Sequence, residues 1–196
     1  MHNLSIEHVK SIDELDAVLG FVSGIFGPIE GQGKYSRQFW IEKMNELPEL
    51  LLYAIDGDQV VGSVFAWVVN NSVTVAHCAV AEDCRGRGIG LALMQEIEGR
   101  VKSLGYRGLA LGSVEGAEGF YERLGFKGSL LIQSEHHSIE ELLALNTKYE
   151  VLYTNIYEGT VNQVCLRVPA ADRELQRKYE ATFPGCTTQM VFGKRF

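Results

Sequence analysis

The run Cys78-Ala79-Val80-Ala81-Glu82-Asp83-Cys84-Arg85-Gly86-Arg87-Gly88-Ile89-Gly90 constrains the fold more than any other stretch of this chain. Leading into it and through its start, Val73, Val75, Cys78 and Val80 give an apolar, β-branched segment suited to a central strand. From its end onward, Gly90, Met94, Ile97, Val101 and Leu104 recur at alternating steps of four and three, the stripe of an amphipathic helix. The spacing therefore predicts a strand, a short loop and a helix that opens on glycines. Glycine permits a sharp turn and leaves amide N–H groups uncovered. The first amides of a helix lack internal partners and carry the positive end of its dipole, so such a loop can hold an anionic phosphate, with Arg85 and Arg87 adding charge.

Two familiar phosphate motifs do not fit. The dinucleotide fingerprint requires glycine at position 91, where Leu91 stands, and no Gly-Lys-Ser/Thr follows as a P-loop would need. A glycine-rich turn with no ligand remains the plain alternative. Arg85-Gly86-Arg87-Gly88-Ile89-Gly90 does resemble the R/Q-x-x-G-x-G/A pyrophosphate loop of the GCN5-related N-acetyltransferases (GNAT). Downstream, Ala117-Glu118-Gly119-Phe120-Tyr121-Glu122-Arg123-Leu124-Gly125-Phe126 resembles the next signature of that family, A-x-x-F/L-Y-x-x-x-G-F. Read physically, it is a short helix with Phe120 and Leu124 on one face, Gly125 as its cap and Phe126 opening a strand. The resemblance spans roughly residues 3–133.

The resemblance implies direct attack of an amine on the thioester of acetyl-CoA, with no covalent enzyme intermediate and no metal. Main-chain groups of Cys78, Ala79 and Val80 would then pair with the pantetheine arm and polarise the carbonyl. Arg85, Gly86, Arg87, Gly88, Ile89 and Gly90 would hold the pyrophosphate. Tyr121 stands where the family commonly places its general acid, a phenol that is protonated at neutral pH. Its alternative role is that of a half-buried packing residue. The family often has Asn seven residues before this tyrosine; here the position is Val114, with Ser113 as a substitute.

No residue declares itself as the base. His77 is near Thr74, the position equivalent to the base of several relatives, but strict alternation puts the two on opposite faces unless a bulge intervenes. Cys78 lies in an apolar strand without a partner histidine, which argues against an acylated nucleophile. His136-His137 lacks a second ligand cluster and reads as a surface pair.

With 196 residues, 46% of them hydrophobic, the chain has enough apolar material for a real core. No apolar run reaches the ~20 residues of a membrane span, and no basic-then-apolar leader is apparent at the amino end. Four cysteines without a C-x-x-C pair read as free thiols of a cytoplasmic protein. A net charge of −7 disfavours nucleic acid and suits a cationic amine.

The expected elements run β-α-α-β-β-β-α-β-α-β. Ser11 to Glu14 is a capping box, and Asp56-Gly57 turns a hairpin. Ile29 to Ser36 is a polar loop, and Asn70-Asn71 is a turn. The fold expected is an α/β GNAT acyl-CoA N-acyltransferase fold, a mixed central sheet with helices on both faces, plus a C-terminal β-β-α-β extension. Residues 1–135 would form the acetyltransferase domain and 136–196 the extension or a small second domain.

The function expected is acetyl transfer to the primary amine of a small molecule. Alternatives are a protein amine as acceptor, or a non-catalytic acyl-CoA-binding module. For the extension, shaping the acceptor pocket competes with formation of a homodimer.

Overall fold

The computed structural model describes residues 4–28, 35–69 and 71–196. Most of the expected loop before Ser36, and Asn70 of the expected turn, lie outside the described residues. The chain forms two compact units, Met1–Leu109 with Arg195–Phe196, and Ala110–Lys194.

In the first unit an antiparallel sheet runs β1 (Leu4–His8), β2 (Leu51–Asp56), β3 (Gln59–Val69), β4 (Ser72–Val80), each paired with the next. The Asp56-Gly57 turn joins β2 to β3 as expected, with Gly57 at φ +65°. Helix α1 (Ile12–Phe26) starts at Ser11, whose hydroxyl accepts from the Glu14 amide. The Glu14 carboxylate reaches back to the Lys10 amide at 2.6 Å, one residue earlier than a reciprocal box would place it. Leu15, Val18, Leu19 and Val22 of α1 are buried, with Trp40 of α2 (Arg37–Glu46), against Leu51, Tyr53, Phe65 and Trp67.

Helix α3 (Ile89–Ser103) covers the other face. A Cβ on Gly62 of β3 would stand 2.9 Å from Leu93 Cδ1 and 3.0 Å from Ile89 Cγ2, so helix and sheet meet here with no room for a side chain. Helices thus pack on both faces, and the chain has the mixed α/β architecture.

The chain passes into the second unit within β5 (Gly108–Gly112). Next come α4 (Glu118–Arg123), β6 (Lys127–Ser134), α5 (Ile139–Ala144), β7 (Val151–Tyr157), β8 (Val161–Leu166), α6 (Arg173–Thr182) and β9 (Thr187–Arg195). Strand β6 pairs antiparallel with β8 on one side and β9 on the other, and β7 pairs with β8. The sequence from residue 138 onward therefore supplies both neighbours of β6. Leu130 and Ile132 of β6 are wholly buried, as are Val164 and Leu166 of β8. The Ser138–Glu141 capping box forms in full. Tyr179 of α6 is buried and donates its hydroxyl to the Leu142 carbonyl at 2.8 Å.

Candidate active site

Strand β4 ends at Val80 and passes through a short 3-10 turn, Glu82–Cys84, into the glycine loop. Gly86 and Gly88 sit at φ +76° and +83°, a left-handed backbone that a side chain disfavours. A Cβ on either would meet nothing within 4 Å, so these glycines serve backbone shape and leave open space above it. Gly88 is the N-cap of α3, no side chain caps the helix, and no acid lies in its first turn. Its leading amides and dipole therefore face outward without a protein carboxylate to neutralise them.

The two arginines differ. Arg87 pairs with Asp56 of β2 at 2.9 Å, while its Nη1 lies 3.5 Å from the Cys84 sulfur. Arg85 reaches back to the Val80 carbonyl at 3.4 Å with Nε and has no acid partner among the described residues. Arg85 is thus the more available cation of the loop.

In β4, Cys78, Ala79 and Val80 pair with Val64, Ser63 and Gly62 of β3. Burial pushes the Cys78 thiol up to about 12, which keeps it protonated and a poor nucleophile, in line with the reading against an acyl-cysteine.

The bulge that strict alternation left open is present. His77 pairs with Phe65 but Val75 pairs with Ala66, so Ala76 is the extra residue. The insertion turns His77 to the same face as Thr74, beside Phe65 and Trp67. Its Nε2 lies 3.0 Å from the Ser63 hydroxyl, and Phe65, Trp40 and Phe26 surround the ring with centroids 5.0, 6.3 and 6.4 Å away. Burial pushes its pKa down to about 3, which leaves it neutral and a weak proton acceptor. The face is suitable for a base; the basicity is not.

In the second unit, Tyr121 is buried in α4. Phe120, Phe126 and Phe192 pack around its ring, with centroids 5.1, 6.1 and 5.7 Å away. The Gly-Phe that closes the motif has a local cause. Gly125 at φ +83° donates to Glu122, and the Phe126 amide donates to the Tyr121 carbonyl at 3.1 Å, forming a Schellman motif whose apolar contact is Phe126 on Tyr121. Ser113 donates its hydroxyl to the Val114 carbonyl, and Val114 is exposed. His137 sets a ring nitrogen 3.2 Å from the Pro184 carbonyl.

Two features escaped the sequence reading. Gly62 had a signal, because an isolated glycine inside an apolar strand marks a bulge or a close backbone approach. The polar pocket of the second unit had none: its lining comes from four separated segments.

Residues 48–128 match the family model described as Acetyltransferase (GNAT) domain. The matched stretch holds β2 to α4 and both motifs. The chain is similar in structure to Ard1 from Thermoplasma volcanium, at 16% identity and TM-score 0.54, over 86% of this chain and 99% of that one. PaiA N-acetyltransferase from Thermoplasma acidophilum, solved with coenzyme A, is similar at 15% identity and TM-score 0.52, over 85% and 99%. A GNAT family acetyltransferase from Brucella melitensis, solved with acetyl-CoA, is similar at 20% identity and TM-score 0.50, over 65% and 84%. At these identities the likeness is one of fold. No curated protein matches the sequence.

Proposed function

We propose that the chain is an N-acetyltransferase that moves the acetyl group of acetyl-CoA to the primary amine of a small molecule by direct attack. The observation that carries this reading is the start of α3, an uncapped, acid-free helix N-terminus entered through left-handed glycines directly after β4. Amides of Gly86 to Gly90 would bind the pyrophosphate, with Arg85 as the added cation. Main-chain groups of Cys78, Ala79 and Val80 would align the pantetheine arm and polarise the thioester carbonyl. The amine nitrogen then bonds to the carbonyl carbon, the carbon–sulfur bond breaks, and the departing thiolate takes the phenolic proton of Tyr121. The ammonium loses one proton to solvent before attack, since His77 is too weak a base to hold it, and the second proton, shed by nitrogen as the amide forms, returns Tyr121 to the phenol through water.

The four cysteines are free thiols, which favours a cytoplasmic setting, and no described helix is long and apolar enough to cross a membrane. A homodimer is part of the reading. Val151, Tyr153 and Ile156 are exposed on β7, an uncharged strand at the end of its sheet, and such an edge is open to pairing with another chain.

The test is Gly88→Val. A β-branched residue resists φ +83° and covers the amides, so calorimetry should show coenzyme A binding lost or weakened on the order of 10²-fold. Equal affinity in variant and parent removes the loop from the site.

A further inference from the structure

We propose that a polar pocket of the second unit grips a carboxylate of the acceptor, which makes the substrate an amine of amino-acid type. This deepens the acetyl-transfer reading and rests on it. The pocket, about 500 Å³, is lined from the β5–α4 link, β6, α6 and β9. That is the size of a small-ligand site.

The charges inside it divide into those already matched and those left over. Arg173 of α6 is ion-paired with Glu118 and, at 3.4 Å, with Glu115, and its Nη1 donates to Gln176 at 2.7 Å. Glu180 accepts from the Thr188 amide at 3.2 Å and hydroxyl at 2.6 Å. The Arg177 guanidinium, the side-chain amides of Gln133 and Gln189 and the Thr187 hydroxyl are the lining groups left, among the described residues, without a hydrogen-bond or ion-pair partner. One guanidinium without an acid partner and two amides that can donate are thus open to a ligand. That set suits a carboxylate, through charge-assisted bonds to the guanidinium and neutral bonds to the amides. Of the lining carboxylates, Glu115 shares Arg173 with Glu118, and Glu180 keeps its charge because its Thr188 partners are neutral.

The site also has a shaped element. Gln189 lies so close to β5 that a Cβ on Gly112 would stand 2.5 Å from its Nε2, so glycine at 112 makes room for the amide. The pocket is joined to the catalytic motif through Arg173. Its partner Glu118 is the first residue of α4, the helix of Tyr121, and the same carboxylate accepts from the Gly116 amide at 2.8 Å. The residues that line the pocket therefore also hold the start of that helix.

The experiment follows the side-chain NH₂ signals of Gln133 and Gln189 and the Nε–H of Arg177 in the isotope-labelled full chain. Common L-amino acids are added, and each that acts is compared with its carboxamide. The expected result is that an amino acid shifts these signals and its carboxamide binds more weakly by on the order of tenfold or more. Arg177→Gln should abolish the shift while the backbone spectrum stays that of the folded parent. Silence with every amino acid, equal action by the carboxamide, or unchanged binding to Arg177→Gln overturns the proposal. Coenzyme A, read at the Gly86 and Gly88 amides, is titrated separately. Failure there removes the acetyl-transfer reading and leaves the carboxylate result standing. If coenzyme A binds, and a bound amino acid does not speed thiol release from acetyl-CoA, the acceptor role is overturned.

Discussion

His77 is held neutral by its surroundings, with a folded pKa of about 3 against an ordinary value of 6.5. Below pH 6.5 the unfolded chain binds a proton there and the folded chain does not, so stability must fall as pH drops toward 3. By about pH 5 the loss from this one residue should be about 2 kcal/mol. Urea midpoints at pH 5 and 7.5 should therefore converge in His77→Gln, which keeps a polar partner for Ser63; an unchanged acid sensitivity would remove His77 as the cause. Tyr121→Phe keeps the packed ring and deletes the proposed proton donor. Turnover should fall on the order of 10²-fold with acetyl-CoA affinity unchanged, and steady-state kinetics with a good acceptor decides it. The helix end at Tyr121 was legible because local geometry dictates it: Gly125 must adopt a positive φ and Phe126 must cover the last turn. The face of His77 was not legible, because the bulge at Ala76 comes from pairing with β3 and no residue type in β4 announces it.

Among the elements, α3 depends on a missing side chain in another strand. Gly62→Ala would place a methyl against Leu93, Ile89 and the Ala79 carbonyl, and Ile89 is the first residue of the helix. Overpacking of this kind costs about 1–3 kcal/mol. Because the strain falls at the N-terminus of α3, coenzyme A affinity should drop along with the melting temperature. A variant that is destabilised but binds coenzyme A as the parent does would show that the helix shifts elsewhere along its length. The strand–loop–helix order was readable from the change of period at Gly90, from alternation to steps of three and four. The closeness of α3 to the sheet was readable only as the oddity of a glycine among valines. The state of the arginines was beyond reach, since Asp56 meets Arg87 only once β2 is folded beside the loop.

For the molecule as a whole, residues beyond 138 read as strands and helices but gave no hint of their partners. Capping residues and turns are local, whereas the choice of β8 and β9 as neighbours of β6 is a matter of long-range pairing. A chain ending at residue 186 tests how far the second unit relies on that pairing. It would strip one edge of β6 and remove the buried Met190 and Phe192. Hydrogen-exchange protection of β6 and β8 should then be lost; persistence of protection would mean that the remaining elements suffice.

The pairing of Lys127 with Gly193 also has a consequence for biosynthesis. A ribosome releases β6 well before β9 exists, so the nascent chain must wait with one edge of that strand unsatisfied. Distant pairings are slow to close and leave such edges open to the wrong partner. Strand β8 emerges first and can dock on the opposite edge, with β7 already folded back on it as a hairpin. The β7–β8 hairpin would then act during translation as a temporary platform for β6, until β9 leaves the exit tunnel and slots into place.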